Sequence, residues 1–197
     1  NWTMGAKVTI DSSTLMNKGL EVLEAHYLYE FPLEAISVLV QPGSLIHSLV
    51  RFKDNQIKAQ LGAPDMRLPI QYSILSAVET ASSGEVFTGG RRPATPLEPL
   101  DLIGNLELRA VDRVRFPCLD LAYHAGRLGG VAPVALNAAD EIAVSAFLEH
   151  RLSYLGIPKL IETVLSDAPR AELSWESIAS TDTWARARAL EIVAALT

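Results

Sequence analysis

From Pro117 to its last residue the sequence is rich in alanine and leucine and carries helix start and stop signals throughout. That pattern commits this part of the chain to a small helical bundle with short connections. Asn137 is expected to cap a helix running to about His150, with Asp140 and Glu141 in its first turn, where the helix dipole favours acids. Gly156-Ile157-Pro158 opens the next helix, proline being tolerated in a first turn. A last helix, from about Thr183, is expected to turn Trp184, Leu190, Val193 and Leu196 inward.

The preceding residues mix helix and strand. Met16, Leu20, Leu23 and Tyr27 recur at helical spacing, which predicts one helix over 13–29, ended by Phe31-Pro32. The apolar run 35–40 reads as a buried strand. Segments 46–52 and 57–61 flank the polar turn Lys53-Asp54-Asn55 and read as a hairpin, and 69–78 as a helix. Short strands beside helices suggest an α+β layer of at least three strands. Over 81–115, glycines and the prolines at 93, 96 and 99 break any period, so this stretch reads as a connector. The fold class is thus an α+β portion over 1–80, a connector over 81–115, and an all-α bundle over 116–197. No internal repeat is visible.

With 49% hydrophobic residues the chain has the apolar material for a core. Its net charge of −6 and pI of about 5.2 argue against nucleic acid or an anionic membrane as partner. No apolar run approaches the ~20 residues of a membrane helix, and no charged-then-apolar leader opens the chain. Asn1-Trp2-Thr3 fits a glycosylation sequon, which without secretory features reads as coincidence. Cys118 is the only cysteine, which excludes an intrachain disulfide or a cysteine-rich zinc site and suits a reducing cytosol. Between Pro117 and Leu119 it reads as a small core residue.

The richest chemistry lies in 2–21. Asn17, Lys18 and Glu21 fall within an arc of roughly 100° on a helical wheel, presenting an amide, an ammonium and a carboxylate together. Asp11, Ser12, Ser13 and Thr14 are expected at the helix start, beside free N–H groups and the positive end of the dipole. That combination holds a phosphate, and a carboxylate further along can hold a divalent ion. The same residues also suit an ordinary solvated, capped helix. Trp2 and Met4 flank a glycine-hinged stretch at Gly5 that reads either as a lid or as core anchors. The four histidines, 26, 47, 124 and 150, show no metal-type spacing, and His47 is the one least readily assigned a structural role. Gly89-Gly90-Arg91-Arg92 fits no nucleotide fingerprint. Neither a Gly-x-Gly-x-x-Gly turn nor a Gly-x-Ser-x-Gly elbow occurs, so no dinucleotide domain is expected within these residues and a serine hydrolase is disfavoured.

Asn-Trp-Thr-Met-Gly at 1–5 and Asp-Ser-Ser-Thr-Leu-Met-Asn-Lys-Gly-Leu-Glu at 11–21 resemble the 1-deoxy-D-xylulose-5-phosphate reductoisomerase family. Ser-Leu-Ile-His-Ser-Leu-Val at 44–50, Ala-Gln-Leu-Gly-Ala-Pro-Asp-Met-Arg at 59–67 and Leu-Asn-Ala-Ala-Asp-Glu at 136–141 continue the resemblance in order. It implies a protein of three parts: an NADPH-binding Rossmann domain upstream, a central catalytic domain, and a C-terminal helical domain. Residues 1–80 would be the second half of the catalytic domain and 116–197 the helical domain. By matching position, Ser12, Asn17 and Lys18 would bind the substrate's phosphate and hydroxyls, and Glu21 would ligate Mg²⁺ or Mn²⁺, with Lys18 and Glu21 the catalytic pair. Trp2 and Met4 would belong to a loop closing over substrate, Gly5 would touch the NADPH nicotinamide, and Pro64 and Met66 would line the pocket.

The resemblance further implies a cytoplasmic homodimer acting on a sugar phosphate. It departs from the family pattern in three ways. The Asp-Ser-Glu segment supplying the other metal carboxylates is not in the sequence, nor is a histidine shortly before the loop tryptophan. Gln41-Pro42-Gly43-Ser44 stands where His-Pro-Gln-Ser is usual. This chain alone is therefore expected to be inactive and to bind NADPH weakly. A non-catalytic dimerising fragment and another metal-dependent sugar-phosphate isomerase remain the alternatives.

Overall fold

The computed structural model describes residues 4–84, 97, 98 and 100–196. The chain divides into two compact units, one built from Val40–Arg109, the other from Thr3–Leu39 with Ala110–Thr197. This division cuts across the expected boundaries at 80 and 115. The first helices, rather than keeping company with the hairpin, pack against the C-terminal ones.

The larger unit is all helix apart from strand ends. It contains α1 (Ala6–Thr14), α2 (Met16–Tyr29), a 3-10 turn (Leu33–Ala35), α4 (Pro117–Leu128), α5 (Ala132–Leu148), α6 (Gly156–Asp167) and α7 (Trp175–Leu196). Its centre is alanine-rich: Ala122, Ala125, Ala135, Ala138, Ala139, Ala143, Ala146, Ala185 and Ala189 are all fully buried. Small side chains let helix axes approach closely. The extreme case is Gly19 on α2, where an added Cβ would lie 2.5 Å from the Ala122 Cβ of α4. Bulk comes from α6, whose Ile157, Leu160, Ile161, Val164 and Leu165 form one buried stripe at helical spacing.

Several sequence expectations are corrected here. The single helix over 13–29 is two helices, because Leu15 adopts a left-handed conformation at φ 60° and breaks the hydrogen-bond ladder. Asn137 caps nothing. It lies inside α5, which starts at Ala132 with Pro133 in its first turn, and it donates to Glu141. The last helix begins at Trp175, where Ser174 and Ser177 exchange hydrogen bonds. Within it Val193 is buried and Trp184 half-buried against the core, whereas Leu190 and Leu196 face outward. The run 35–40 is a strand only at β1 (Leu39–Val40). Tyr123 donates its hydroxyl hydrogen to the Ile36 carbonyl at 2.8 Å, and Ile36 and Val38 pack beside Val22, Leu33, Leu119 and Tyr123. Cys118 is buried, as its setting suggested.

The smaller unit holds the expected hairpin, β2 (Ile46–Arg51) antiparallel to β3 (Ile57–Leu61), with Arg51 opposite Ile57 and Val50 opposite Lys58. Asn55 makes the turn at φ 66°, and Asp54 accepts from the Gln56 N–H. Helix α3 (Arg67–Ser83) is longer than expected. The Asp65 carboxylate accepts from the Arg67 N–H at its start, and Gly84 closes it at φ 72°. Instead of a layer of three strands, the described residues contain only two-stranded pairings; β4 (Arg109–Ala110) is the last strand. Of the connector, 85–96 and 99, which include Gly89 to Arg92, lie outside the described residues.

Candidate functional site

The corner between α1 and α2 carries most of the candidate residues. Thr14, buried, is its joint: its hydroxyl donates to the Asp11 carbonyl at 3.2 Å and accepts from the Met16 N–H at 3.3 Å. Met16, Gly19, Val22 and Leu23 form the buried face of α2. The other face presents Asn17, Lys18 and Glu21. The Asn17 amide donates to Glu21 Oε1 at 2.8 Å, and Lys18 Nζ donates to Glu21 Oε2 at 2.7 Å. The Lys18 and Glu21 side chains are 41% and 48% exposed, so this exposed pair contributes little stability. A solvated cation and carboxylate can exchange each other for ligands at low cost.

Ser12 and Ser13 belong to this corner in a different way from that expected. They occupy the last turn of α1, where carbonyls rather than N–H groups lack partners. The positive dipole end belongs to α2, whose first turn is Met16, Asn17 and Lys18. An anion drawn to the corner would thus meet the start of α2, with Ser12 facing it from the end of α1. Tyr154, from the α5–α6 connection, pins that end: its hydroxyl lies 2.9 Å from the Ser13 carbonyl and 3.2 Å from Ser13 Oγ.

Met4 is half-buried and Gly5 caps α1, where an added Cβ would meet nothing within 4 Å among the described residues. Trp2 lies outside the described residues. Pro64 and Met66 belong to the other unit, with Met66 56% exposed. Gln41 holds its own turn together: its side-chain oxygen accepts from the Leu45 N–H at 2.7 Å, and Ser44 between them takes φ 52°. His47 contacts the Gly62 carbonyl and His26 the Phe31 carbonyl, so both serve local structure. Among the described residues no group of three or more His, Cys, Asp or Glu could hold a metal ion. Glu21 fits a hard cation as one oxygen ligand, but these residues do not complete a metal site.

One cluster is legible in the sequence only in part. Lys7 Nζ lies 2.6 Å from Asp11 Oδ2 and 2.9 Å from Asp140 Oδ2, joining α1 to α5. Asp11 is 3% exposed and Asp140 fully buried, and the Oδ1 atom of each has no partner among the described residues. Burial, then the negative charge of Asp11, push the Asp140 carboxyl up to about 7 against the pull of Lys7. Burial works against the Lys7 ammonium, but its hydrogen bonds to Asp11 and Asp140 leave it above its ordinary value. Burial, with the charge of Asp140, pushes the Cys118 thiol up to about 12. Lys7 and Asp11 are visible in sequence as an i, i+4 pair, but the burial of Asp140 depends on tertiary packing. A separate cavity of about 400 Å³ is lined by Leu33, Ile36, Tyr123 and Arg127, among others.

Two family models match. One, described as "DXP reductoisomerase C-terminal domain", covers residues 61–188; the other, "1-deoxy-D-xylulose 5-phosphate reductoisomerase C-terminal domain", covers 1–29. Together with the fold, they set the class: C-terminal domains of a reductoisomerase. The 1-deoxy-D-xylulose 5-phosphate reductoisomerase of Thermus thermophilus is 50% identical over 95% of this chain and 48% of its own length. That of a Synechococcus strain is 47% identical over 94% and 45%. A solved reductoisomerase of Zymomonas mobilis in complex with NADPH superposes with a TM-score of 0.82 at 40% identity, over 95% of this chain and 47% of that one. Another, in complex with NADPH, fosmidomycin and magnesium, gives 0.86 at 36% identity, over 100% and 48%. The chain belongs to the 1-deoxy-D-xylulose 5-phosphate reductoisomerase family, and it spans about half the length of the curated relatives it matches.

Proposed function

We propose that the protein containing this chain converts 1-deoxy-D-xylulose 5-phosphate to 2-C-methyl-D-erythritol 4-phosphate, by skeletal rearrangement and then reduction with NADPH. The observation that carries this reading is the convergence of Asn17 and Lys18 on Glu21 at the start of α2. Lys18, at the positive end of the α2 dipole, suits a phosphate dianion, and Ser12 and Asn17 add neutral hydrogen-bonding groups. Glu21 holds Lys18 as a counter-ion. Were a phosphate to take over Lys18, the Glu21 carboxylate would be free to hold Mg²⁺ or Mn²⁺ as one ligand. Such an ion supplies Lewis-acid polarisation of carbonyl and hydroxyl oxygens. The remaining carboxylates would come from the Asp-Ser-Glu segment expected elsewhere in the protein.

Gly5, with open space on its Cα, lets a nicotinamide approach the backbone. Trp2 and Met4 would close over the substrate and keep water out. The phosphate supplies binding energy remote from the reacting carbons. We place the protein in the cytoplasm as a homodimer on the family resemblance; the exposed Leu49, Val50 and Ile57 of the hairpin and Ile70, Ile74 and Val78 of α3 support burial against further protein.

The test is Glu21→Gln in the full-length protein, assayed for turnover across a Mg²⁺ titration with the fold checked by circular dichroism. The swap keeps size and helix propensity but removes one anionic ligand. We expect a loss of about 10²-fold or more in kcat, with a higher Mg²⁺ requirement. A folded variant with wild-type kcat and metal dependence removes Glu21 from the site.

A further inference from the structure

Two buried carboxylates face a single ammonium between α1 and α5. With both ionised, the group of Lys7, Asp11 and Asp140 would carry a net charge of −1, with both carboxylates buried and only the Lys7 side chain reaching solvent. It would also leave two buried oxygens, Asp11 Oδ1 and Asp140 Oδ1, without a donor. Each such oxygen costs the desolvation of a charged acceptor. One added proton removes both faults. It neutralises the cluster and lets one carboxyl donate to the other, the two being gathered on the same ammonium.

We infer that Asp140 is a positioning residue: it shares a proton with Asp11 beneath Lys7, and this pair fixes the end of α1 that carries Ser12. The linkage is short. Asp11 is bonded to Ser12, and its carbonyl accepts from Thr14, the joint of the α1–α2 corner. The charged and titratable groups facing the pair are Lys7 from α1 and the Cys118 thiol from α4, which burial keeps neutral. The helix α2 packed beside them contributes Met16 to the same core. The direction found for Asp140 agrees with a proton retained well above the ordinary carboxylate range.

The pH dependence follows in sign. The folded state binds a proton that an unfolded Asp releases near its ordinary value of 3.8. The resulting stability is fully present below that value. It is lost as pH rises to about 7, with the unfolding constant rising about tenfold per pH unit between the two. Above that window both carboxylates are charged, and their repulsion pushes α1 away from α5. Asp140→Asn replaces the shared proton by a permanent N–H donor and keeps a carbonyl that can accept from Lys7.

The effect on ligand binding rests on the function proposed above, so the experiment separates the two. Urea unfolding and fosmidomycin binding of the full-length protein are measured from pH 5 to 8.5 for wild type, Asp140→Asn and Lys18→Ala. The stability of wild type should fall about tenfold per pH unit more steeply than that of Asp140→Asn between pH 5 and 7. Fosmidomycin affinity should fall at least several-fold above pH 7 in wild type relative to Asp140→Asn, a comparison in which the phosphonate's own ionisation cancels. In wild type alone, the infrared carbonyl stretch of a protonated carboxylic acid should be present at pH 6 and gone at pH 8.5. Its absence at pH 6, or equal stability slopes in the two proteins, overturns the shared proton; equal pH courses of affinity overturn the positioning role. If Lys18→Ala binds fosmidomycin as wild type does, the proposed function fails instead.

Discussion

Replacing Gly19 with alanine tests the close approach of α2 to α4. The new Cβ would stand 2.5 Å from the Ala122 Cβ, with the Cys118 carbonyl at 3.6 Å. Both methyl groups are fixed directly to helix backbones, so no rotamer relieves the clash and α2 or α4 must shift. Overpacking of this kind costs about 1–3 kcal/mol, and a contact between two rigid groups belongs at the upper end. Alanine recovers about 1 kcal/mol through its better helix propensity. The net loss should be about 2 kcal/mol, or a Tm lowered by roughly 4–8 °C. Ala122→Gly on its own should cost about 1 kcal/mol, yet in the double variant it removes the clash. A double-mutant cycle by urea denaturation should therefore show a favourable coupling of about 3 kcal/mol, the whole clash. Because α2 carries Asn17, Lys18 and Glu21, the single variant should also weaken substrate binding, and the double variant should restore it. A neutral or stabilising Gly19→Ala, or additivity with Ala122→Gly, would refute the account of this contact.

Lys18→Ala in the full-length protein should weaken phosphate engagement by up to about 3 kcal/mol, with part of the loss in kcat; unchanged steady-state kinetics would return Lys18 to an ordinary solvated helix face. Cys118, 1% exposed and with its thiol pushed up to about 12, should resist a thiol reagent in the native protein and react on addition of urea, as read by mass spectrometry. Rapid stoichiometric labelling without denaturant would show that α4 opens readily.

The parts of the fold legible in the sequence are those where a local pattern and a tertiary contact agree. The stripe on α6 needs only the spacing of Ile157, Leu160, Ile161, Val164 and Leu165, and the hairpin only the turn at 53–55. The break at Leu15 was hidden because leucine is a good helix former that rarely adopts positive φ. Its conformation is held by packing and by Thr14. Asn137 misled for the converse reason: it is a good capping residue placed inside a helix, where its amide serves Glu141. Asn17, Lys18 and Glu21 could be grouped from the helical wheel alone. The place of Ser12 relative to them could not, since it depends on the break. Asp140 was legible only as a favourable first-turn acid, and α5 begins too early for that role.

The larger unit is discontinuous along the chain, and this bears on how it is made. Its first helices end at Tyr29, while the helix they pack against most closely, α4, runs from Pro117 to Leu128. At ribosomal rates of ~5–20 residues per second, the apolar face of Met16, Val22 and Leu23 waits roughly 5–20 s for its partner. During that interval the whole unit Val40–Arg109 is synthesised and free to fold. The nascent chain thus carries an unpaired sticky helix ahead of a finished hairpin unit. Slow translation before α4 would lengthen that exposure and give chaperones, or aggregation, more time to act on α2.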